Sequence, residues 1–110
     1  MDLEKLQPIK VCRGDTQSIM LEIEGISLTE NDRLFFSVKK RPMVESEDII
    51  RREFNGNEPI HIFLSSEETN LSRGTYYYAF RLVLHSGEII TLCQPSFFII
   101  EEVVVDVPNN

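Results

Sequence analysis

The stretch "NLSRGTYYYAFRLVLHSGEIITL", residues 70 to 92, holds the longest run of alternating apolar side chains in the sequence. The members of one parity are all apolar or aromatic: Tyr76, Tyr78, Phe80, Leu82 and Leu84. Successive side chains of a β-strand point to opposite faces of a sheet, so this pattern is typical of a strand with one buried face. We therefore predict a long strand over residues 74 to 85, with these side chains in the core.

The start of this strand has the spacing of a tyrosine corner, a feature of immunoglobulin-like β-sandwiches: Leu71, Gly74, Tyr76 and Tyr78. In such a corner, the first tyrosine enters the sandwich and its hydroxyl bonds a backbone group a few residues upstream. We expect Gly74 to permit the crossing, Tyr76 to fill the corner and residues 65 to 69 to supply the backbone partner. A stacking platform for a substrate is disfavoured, because alternation directs Tyr76 and Tyr78 inward.

The rest of the sequence alternates in shorter bursts, separated by turn-forming residues at Gly14-Asp15, Gly25, Asn55-Gly56-Asn57 and Ser86-Gly87. The predicted strands span residues 8–12, 17–23, 33–40, 48–54, 59–64, 74–85, 88–94 and 97–104. A capping box at Ser65 and Glu68 indicates a single helical turn, and no longer helix is predicted. The pattern predicts an all-β fold: an immunoglobulin-like antiparallel β-sandwich of roughly seven to eight strands, forming a single β-sandwich domain over residues 1–110.

The two cysteines do not indicate the disulfide that joins the sheets of immunoglobulin domains. Cys12 falls on the first predicted strand and Cys93 on the strand after the long one, while Tyr78 takes the position of the second immunoglobulin cysteine. We expect two buried free thiols. A disulfide or a metal site is the less favoured alternative.

Charge and composition restrict the classes of partner. The 110 residues are 42% hydrophobic and 26% charged, which is typical of a globular domain, and the net charge is −7. An acidic surface repels phosphate backbones and anionic lipids, so we expect neither nucleic acid nor a membrane as a partner. The apolar region of a signal peptide does not follow Met1, and we expect the chain to be made inside the cell.

Catalytic signatures are missing from the sequence. His61 and His85 alternate with apolar neighbours on predicted strands, without a nucleophile motif or metal-ligand spacing, and we expect both to face solvent. The carboxylates are dispersed. We therefore expect no enzyme activity, no cofactor and no metal, since an enzyme would require clustered carboxylates or a cleft containing a histidine.

The tripeptide Arg13-Gly14-Asp15 is the one that adhesion ligands present to integrins. Here it falls between two predicted strands, where Gly14 supplies a permissive backbone and Asp15 is a turn-forming residue. A short motif of this kind also arises by chance. We interpret it as a turn and not as an adhesion motif.

The last predicted strand is too apolar to lie half exposed. Residues 97–100 ("FFII") and 103–105 ("VVV") are apolar on both parities, and only one parity can face the core. With two outward-facing aromatic side chains from other strands, the candidate interface comprises Phe35, Tyr77, Phe97, Phe98, Ile99, Ile100, Val103, Val104 and Val105. We expect another subunit or a partner to cover this surface; alternatively, these residues overpack one core or lie under a loop.

The order of several segments resembles the N-terminal domain of phage baseplate upper proteins. These segments are Gly14-Asp15-Thr16, "LFFSVKK" at 34–40, the corner stretch at 71–92 and "FFII" before Val103. The resemblance spans nearly the whole chain and implies a non-enzymatic, immunoglobulin-like virion structural module that docks to other phage or prophage tail proteins. It also implies synthesis in the bacterial cytoplasm and assembly in several copies in the tail. The alternative is a free-standing β-sandwich that binds a receptor or a carbohydrate, which a concave patch of exposed aromatic side chains would favour.

Overall fold

The chain folds into β-strands joined by turns and loops, in a computed structural model that describes residues 7–21, 28–91 and 95–103. The described strands are β1 (Ile9–Cys12), β2 (Gln17–Leu21), β3 (Arg33–Lys39), β4 (Asp48–Asn55), β5 (Ile60–Leu64), β6 (Gly74–Val83), β7 (Ile89–Thr91) and β8 (Ser96–Glu101). These residues contain no helix. The prediction of an all-β fold is therefore confirmed.

The described strands form two sheets. The larger has the order β1-β8-β6-β3-β4, with β7 also paired to β6, and the smaller consists of β2 and β5. All pairs are antiparallel apart from β1 and β8, which are parallel. Since β3 occupies one edge of β6, the strands β7 and β8 follow each other along the opposite edge.

The two sheets bury their apolar faces in one core. On β6, Tyr78 and Phe80 are almost fully buried, and the ring of Phe36 on β3 lies 6.1 Å and 5.2 Å from their ring centroids. From the smaller sheet, Ile62 and Leu64 are fully buried in the same cluster. Burying an aromatic or large aliphatic side chain contributes about 1.5–3 kcal/mol, so this cluster is the main source of stability. The arrangement is consistent with a β-sandwich.

Two tyrosines in the first half of β6 donate hydrogen bonds to backbone carbonyls. The hydroxyl of Tyr76 donates a hydrogen bond to the carbonyl oxygen of Ser72, 2.8 Å away, and the hydroxyl of Tyr78 donates to the carbonyl of Gln7. Gly74 has a φ of 154°, a conformation that residues with a side chain rarely adopt. The expectation that residues 65–69 accept the bond from Tyr76 is wrong, because those residues form a turn of their own.

That turn after β5 ties the two sheets together. Ser65 and Glu68 form the predicted capping box, with reciprocal bonds of 3.1 Å and 3.2 Å between the side chain of each and the backbone amide of the other. Arg52 of β4 lies 2.6 Å from both carboxylate oxygens of Glu68 and donates to the carbonyl of Phe63 on β5. The hydrogen bond from Arg52 lowers the pKa of Glu68, while burial opposes this shift.

At the opposite end of the strands, one buried carboxylate holds three loops. Asp32, just before β3, accepts hydrogen bonds from the backbone amides of Thr29 at 2.8 Å and His85 at 2.9 Å, and the His85 ring nitrogen Nδ1 lies 3.1 Å away. The Asp32 carbonyl accepts from the amide of Gly56 at 2.7 Å. The Thr29 amide and then His85 hold the pKa of Asp32 well below its usual range. His85 therefore belongs to the β6–β7 turn, and the prediction that it lies on a strand is wrong.

Replacing Tyr76 by phenylalanine removes one hydroxyl and keeps the ring in place. Because Ser72 is exposed and its carbonyl can turn to water, we expect a loss of about 0.5–1.5 kcal/mol in the free energy of unfolding. Urea denaturation measures this loss. The matched control is Tyr77→Phe, since the Tyr77 hydroxyl has no hydrogen-bond partner among the described residues; equal losses for the two variants would show that the Ser72 bond contributes nothing.

Acid should weaken the contacts of Asp32. A carboxyl whose pKa is lowered by folding binds its proton more readily in the unfolded chain, so its stabilisation is present above the ordinary pKa of 3.8 and decreases as the pH falls below that value. We expect Asp32→Asn to destabilise the protein at about pH 6, and the difference from the wild type to shrink towards about pH 3. Urea denaturation across this range checks the prediction, and a difference that stays constant with pH would contradict it.

Candidate functional site

The predicted interface on β8 divides between the two faces of its sheet. Phe98 is 0% exposed and Ile100 is 1% exposed, and both belong to the core. Register explains this, because Phe98 lies opposite the inward-facing Tyr76 on β6. These two residues are therefore removed from the candidate surface, whereas Phe97, which is 49% exposed, lies on the outer face.

The remaining candidates lie on or next to that outer face. Ile99 is partly buried beside Phe97, and Val103 follows the end of β8 and is exposed. Tyr77 pairs with Phe97 across the strands, with ring centroids 5.7 Å apart. Phe35 is half-buried on β3. Val104 and Val105 lie outside the described residues.

An open depression of about 540 Å³ lies at the centre of the outer face of the larger sheet. Its floor includes two small side chains, Ala79 and Ser37, which are cross-strand partners. Larger side chains flank them in the neighbouring rows, with Tyr77 on one side and Phe35 and Arg81 on the other. The depression therefore arises from small residues placed between large ones on β3 and β6.

The loop between β3 and β4 forms one rim of the depression. Lys39 holds this loop in place: its Nζ donates to the carbonyls of Val44 at 3.1 Å and Ser46 at 2.6 Å, and lies 3.2 Å from the Asp48 carboxylate. Met43 is 48% exposed on this rim. The sequence did not indicate this rim, because its position depends on the fold of a loop without a motif.

The lining carries more positive than negative charge, although the chain as a whole has a net charge of −7. It includes four cationic side chains, Lys39, Arg41, Arg51 and Arg81, and one carboxylate, Asp48. Lys39 and Arg51 pair with this carboxylate, at 3.2 Å and 3.5 Å. The side chains of Arg41 and Arg81 form no ion pair or hydrogen bond with another described residue.

The aromatic rings of this face are already in contact with other side chains. The guanidinium carbons of Arg33 and Arg51 lie 5.6 Å and 5.3 Å from the ring centre of Phe35, within the range of cation–π interactions. Tyr77 packs against Phe97. A ligand would therefore meet cations and ring edges here more readily than a free aromatic face.

The Arg13-Gly14-Asp15 tripeptide forms the turn between β1 and β2. The amide of Asp15 donates to the carbonyl of Cys12 at 3.0 Å, and Gly14 has a φ of 84°. The hydroxyl of the buried Thr69 donates to the Asp15 carbonyl. The interpretation of this tripeptide as a turn is confirmed, and its contacts tie the turn to the 65–69 segment.

Cys12 is a free thiol at the end of β1. It is half-buried, so the prediction of a buried thiol is wrong for this residue: it has the outward parity of its strand, beyond the buried Val11. Cys93 lies outside the described residues.

Sequence reasoning missed one contact between polar side chains on the smaller sheet. The Ser18 hydroxyl is hydrogen-bonded to Nε2 of His61, and both residues are exposed. A nucleophile activated by histidine also needs a group that orients the histidine, and in the described part of the chain no carboxylate forms an ion pair or hydrogen bond with His61. Nor do these residues include a group of three or more His, Cys, Asp or Glu side chains able to hold a metal ion.

The residues that the structure describes include no helix long and apolar enough to cross a membrane. No protein-family model, curated protein or solved structure matches this chain.

Lysine substitutions at two adjacent phenylalanines test the two faces of β8. Phe98→Lys removes a fully buried ring and buries an unpaired ammonium, so we expect a loss of at least about 3 kcal/mol in the free energy of unfolding. Phe97→Lys loses only a half-exposed ring and its contact with Tyr77, and should cost about 1 kcal/mol or less. Urea denaturation compares them, and a greater loss at Phe97 would refute the assignment of faces.

Proposed function

We propose that this chain is an immunoglobulin-like β-sandwich that serves as a non-enzymatic assembly module of a phage or prophage baseplate, docking to other tail proteins in several copies. It is made in the bacterial cytoplasm and becomes part of the virion tail on assembly. Nucleic acid and membranes are not its partners, since an acidic surface repels both. The docking surface is the outer face of the larger sheet.

Strand order supports the immunoglobulin-like part of the proposal. The spatial order β8-β6-β3-β4 matches that of strands G, F, C and C′ in a variable-type sandwich. The β2–β5 pair matches strands B and E. The hydrogen bond from Tyr76 to Ser72 at the start of β6 corresponds to a tyrosine corner at the start of strand F. A buried Tyr78 takes the place of the second immunoglobulin cysteine.

The observation that carries the docking role is a preformed concave surface on the outer face of a sheet whose other face already supplies the core. Met43, 48% exposed, lies on the rim of this depression with the half-buried Tyr77 and Phe35 in its lining, and Phe97, 49% exposed, lies on the same outer face in contact with Tyr77. Apolar side chains grouped with a polar rim are typical of surfaces that a partner covers. Its burial by a tail protein is the mechanism we propose.

Binding of a receptor or a carbohydrate remains the second candidate, because the depression is a concave patch with aromatic residues. Its chemistry favours this candidate less. Sugars stack on open aromatic faces, whereas the ring of Phe35 is flanked by two guanidinium groups and Tyr77 packs against Phe97. The lining also contains no Asn or Gln amide among the described residues.

Two matched phenylalanines test the docking role. Phe97 and Phe63 are 49% and 53% exposed and lie on the outer faces of different sheets. In sedimentation with purified phage baseplate and tail proteins, we expect the wild type and Phe63→Lys to bind alike and Phe97→Lys to bind about tenfold more weakly. A wild-type chain that remains monomeric and binds none of these proteins would rule out the assembly role, and selective loss for Phe63→Lys would move the docking surface to the smaller sheet.

A further inference from the structure

Resting on the proposed docking role, we infer that the depression on the larger sheet binds an extended, acidic peptide segment of the partner protein, with one aliphatic side chain seated over Ala79. Three features of the site carry this inference: the distribution of its charge, the shape of its floor and the fixed position of its rim.

The charge of the depression selects an acidic occupant. Asp48 neutralises part of the charge of Lys39 and Arg51, but Arg41 on the rim and Arg81 on the wall lack an anionic partner in the described part of the chain. Two guanidinium groups that face one depression and have no anionic partner among the described residues favour carboxylates, which they can bind through paired hydrogen bonds. The rest of the chain is acidic, so it repels such a segment elsewhere and directs it to this face.

The shape of the floor favours a bound peptide that has an aliphatic side chain between its acidic side chains. Ala79 and Ser37 leave space at the centre, while Tyr77 and Phe35 supply apolar walls. The exposed Met43 on the rim adds a flexible apolar surface that adapts to different side chains. An extended segment can lower one side chain into this space while the acidic side chains two positions before and after it, which share its face, extend towards Arg41 and Arg81.

The rim is in place before the occupant arrives. Lys39 holds the 41–46 segment through the carbonyls of Val44 and Ser46 and through the Asp48 ion pair, next to a register shift between β3 and β4. A preformed site loses less conformational entropy on binding, so short peptides can bind to it. Nucleic acid is a poorer fit than a peptide, since the net charge of −7 opposes a long polyanion once it extends beyond the depression.

The test uses a blocked synthetic peptide, Asp-Glu-Leu-Glu-Asp, and its cationic counterpart, Lys-Arg-Leu-Arg-Lys, titrated into the isotopically labelled protein and followed by NMR chemical shifts. We expect the acidic peptide to shift the amides of β3, β4 and β6 with a Kd of about 0.1–1 mM, and the cationic peptide to have no effect. Arg81→Glu should weaken binding at least about tenfold. The matched control, Arg73→Glu, makes the same charge change at an exposed arginine outside the depression and should bind as the wild type does.

Several results would overturn the inference: equal binding of the cationic peptide, shifts confined to β2 and β5, equal weakening by both arginine variants, or equal shifts from inorganic phosphate or a neutral oligosaccharide. If tail proteins bind through Phe97 while the acidic peptide does not bind, the docking role stands and the acidic occupant is wrong. If neither binds, both proposals fail.

Discussion

Alternation along β6 is the constraint on which the rest of the structure depends. Its ten residues direct Tyr76, Tyr78, Phe80 and Leu82 into the core and leave Tyr77, Ala79 and Arg81 on the outer face. Because β6 pairs with β3, β7 and β8, it also fixes which side chains of those strands face outward. The apolar core and the depression are therefore two consequences of a single strand, and a shift of one residue in register would eliminate both.

Polar contacts hold the core strands in this register at both ends. Asp32 gathers the loops before β3, after β4 and after β6 at one end, and the 65–69 turn fastens the β1–β2 turn near the other. Arg52 joins the edge of the larger sheet to Glu68 beyond β5. Since the pKa values of Asp32 and Glu68 are both lowered, these contacts weaken together in acid.

The sequence predicted those features that depend only on neighbouring residues, such as the position of the long strand. The long strand was expected over residues 74–85 and β6 spans Gly74–Val83, because a period-2 pattern needs only neighbouring residues. The face of Phe98 could not be predicted, since β8 is apolar on both parities and only pairing with β6 decides between them. The depression could not be predicted either, because it depends on the pairing of Ala79 with Ser37 across strands and on a loop held by Lys39. The role of Asp32 depends on its contact with His85, which is 53 positions away in the sequence.

The central claim is that this protein docks through the outer face of its larger sheet. Hydroxyl-radical footprinting tests this claim directly, because methionine and phenylalanine side chains react in proportion to their exposure. Such residues are exposed on the outer sides of both the larger and the smaller sheet. If the proposed docking to tail proteins is right, adding such a protein should protect Met43 and Phe97, while Met20 and Phe63 on the smaller sheet should react as before. Protection of Met20 and Phe63, with Met43 and Phe97 unchanged, would contradict the account.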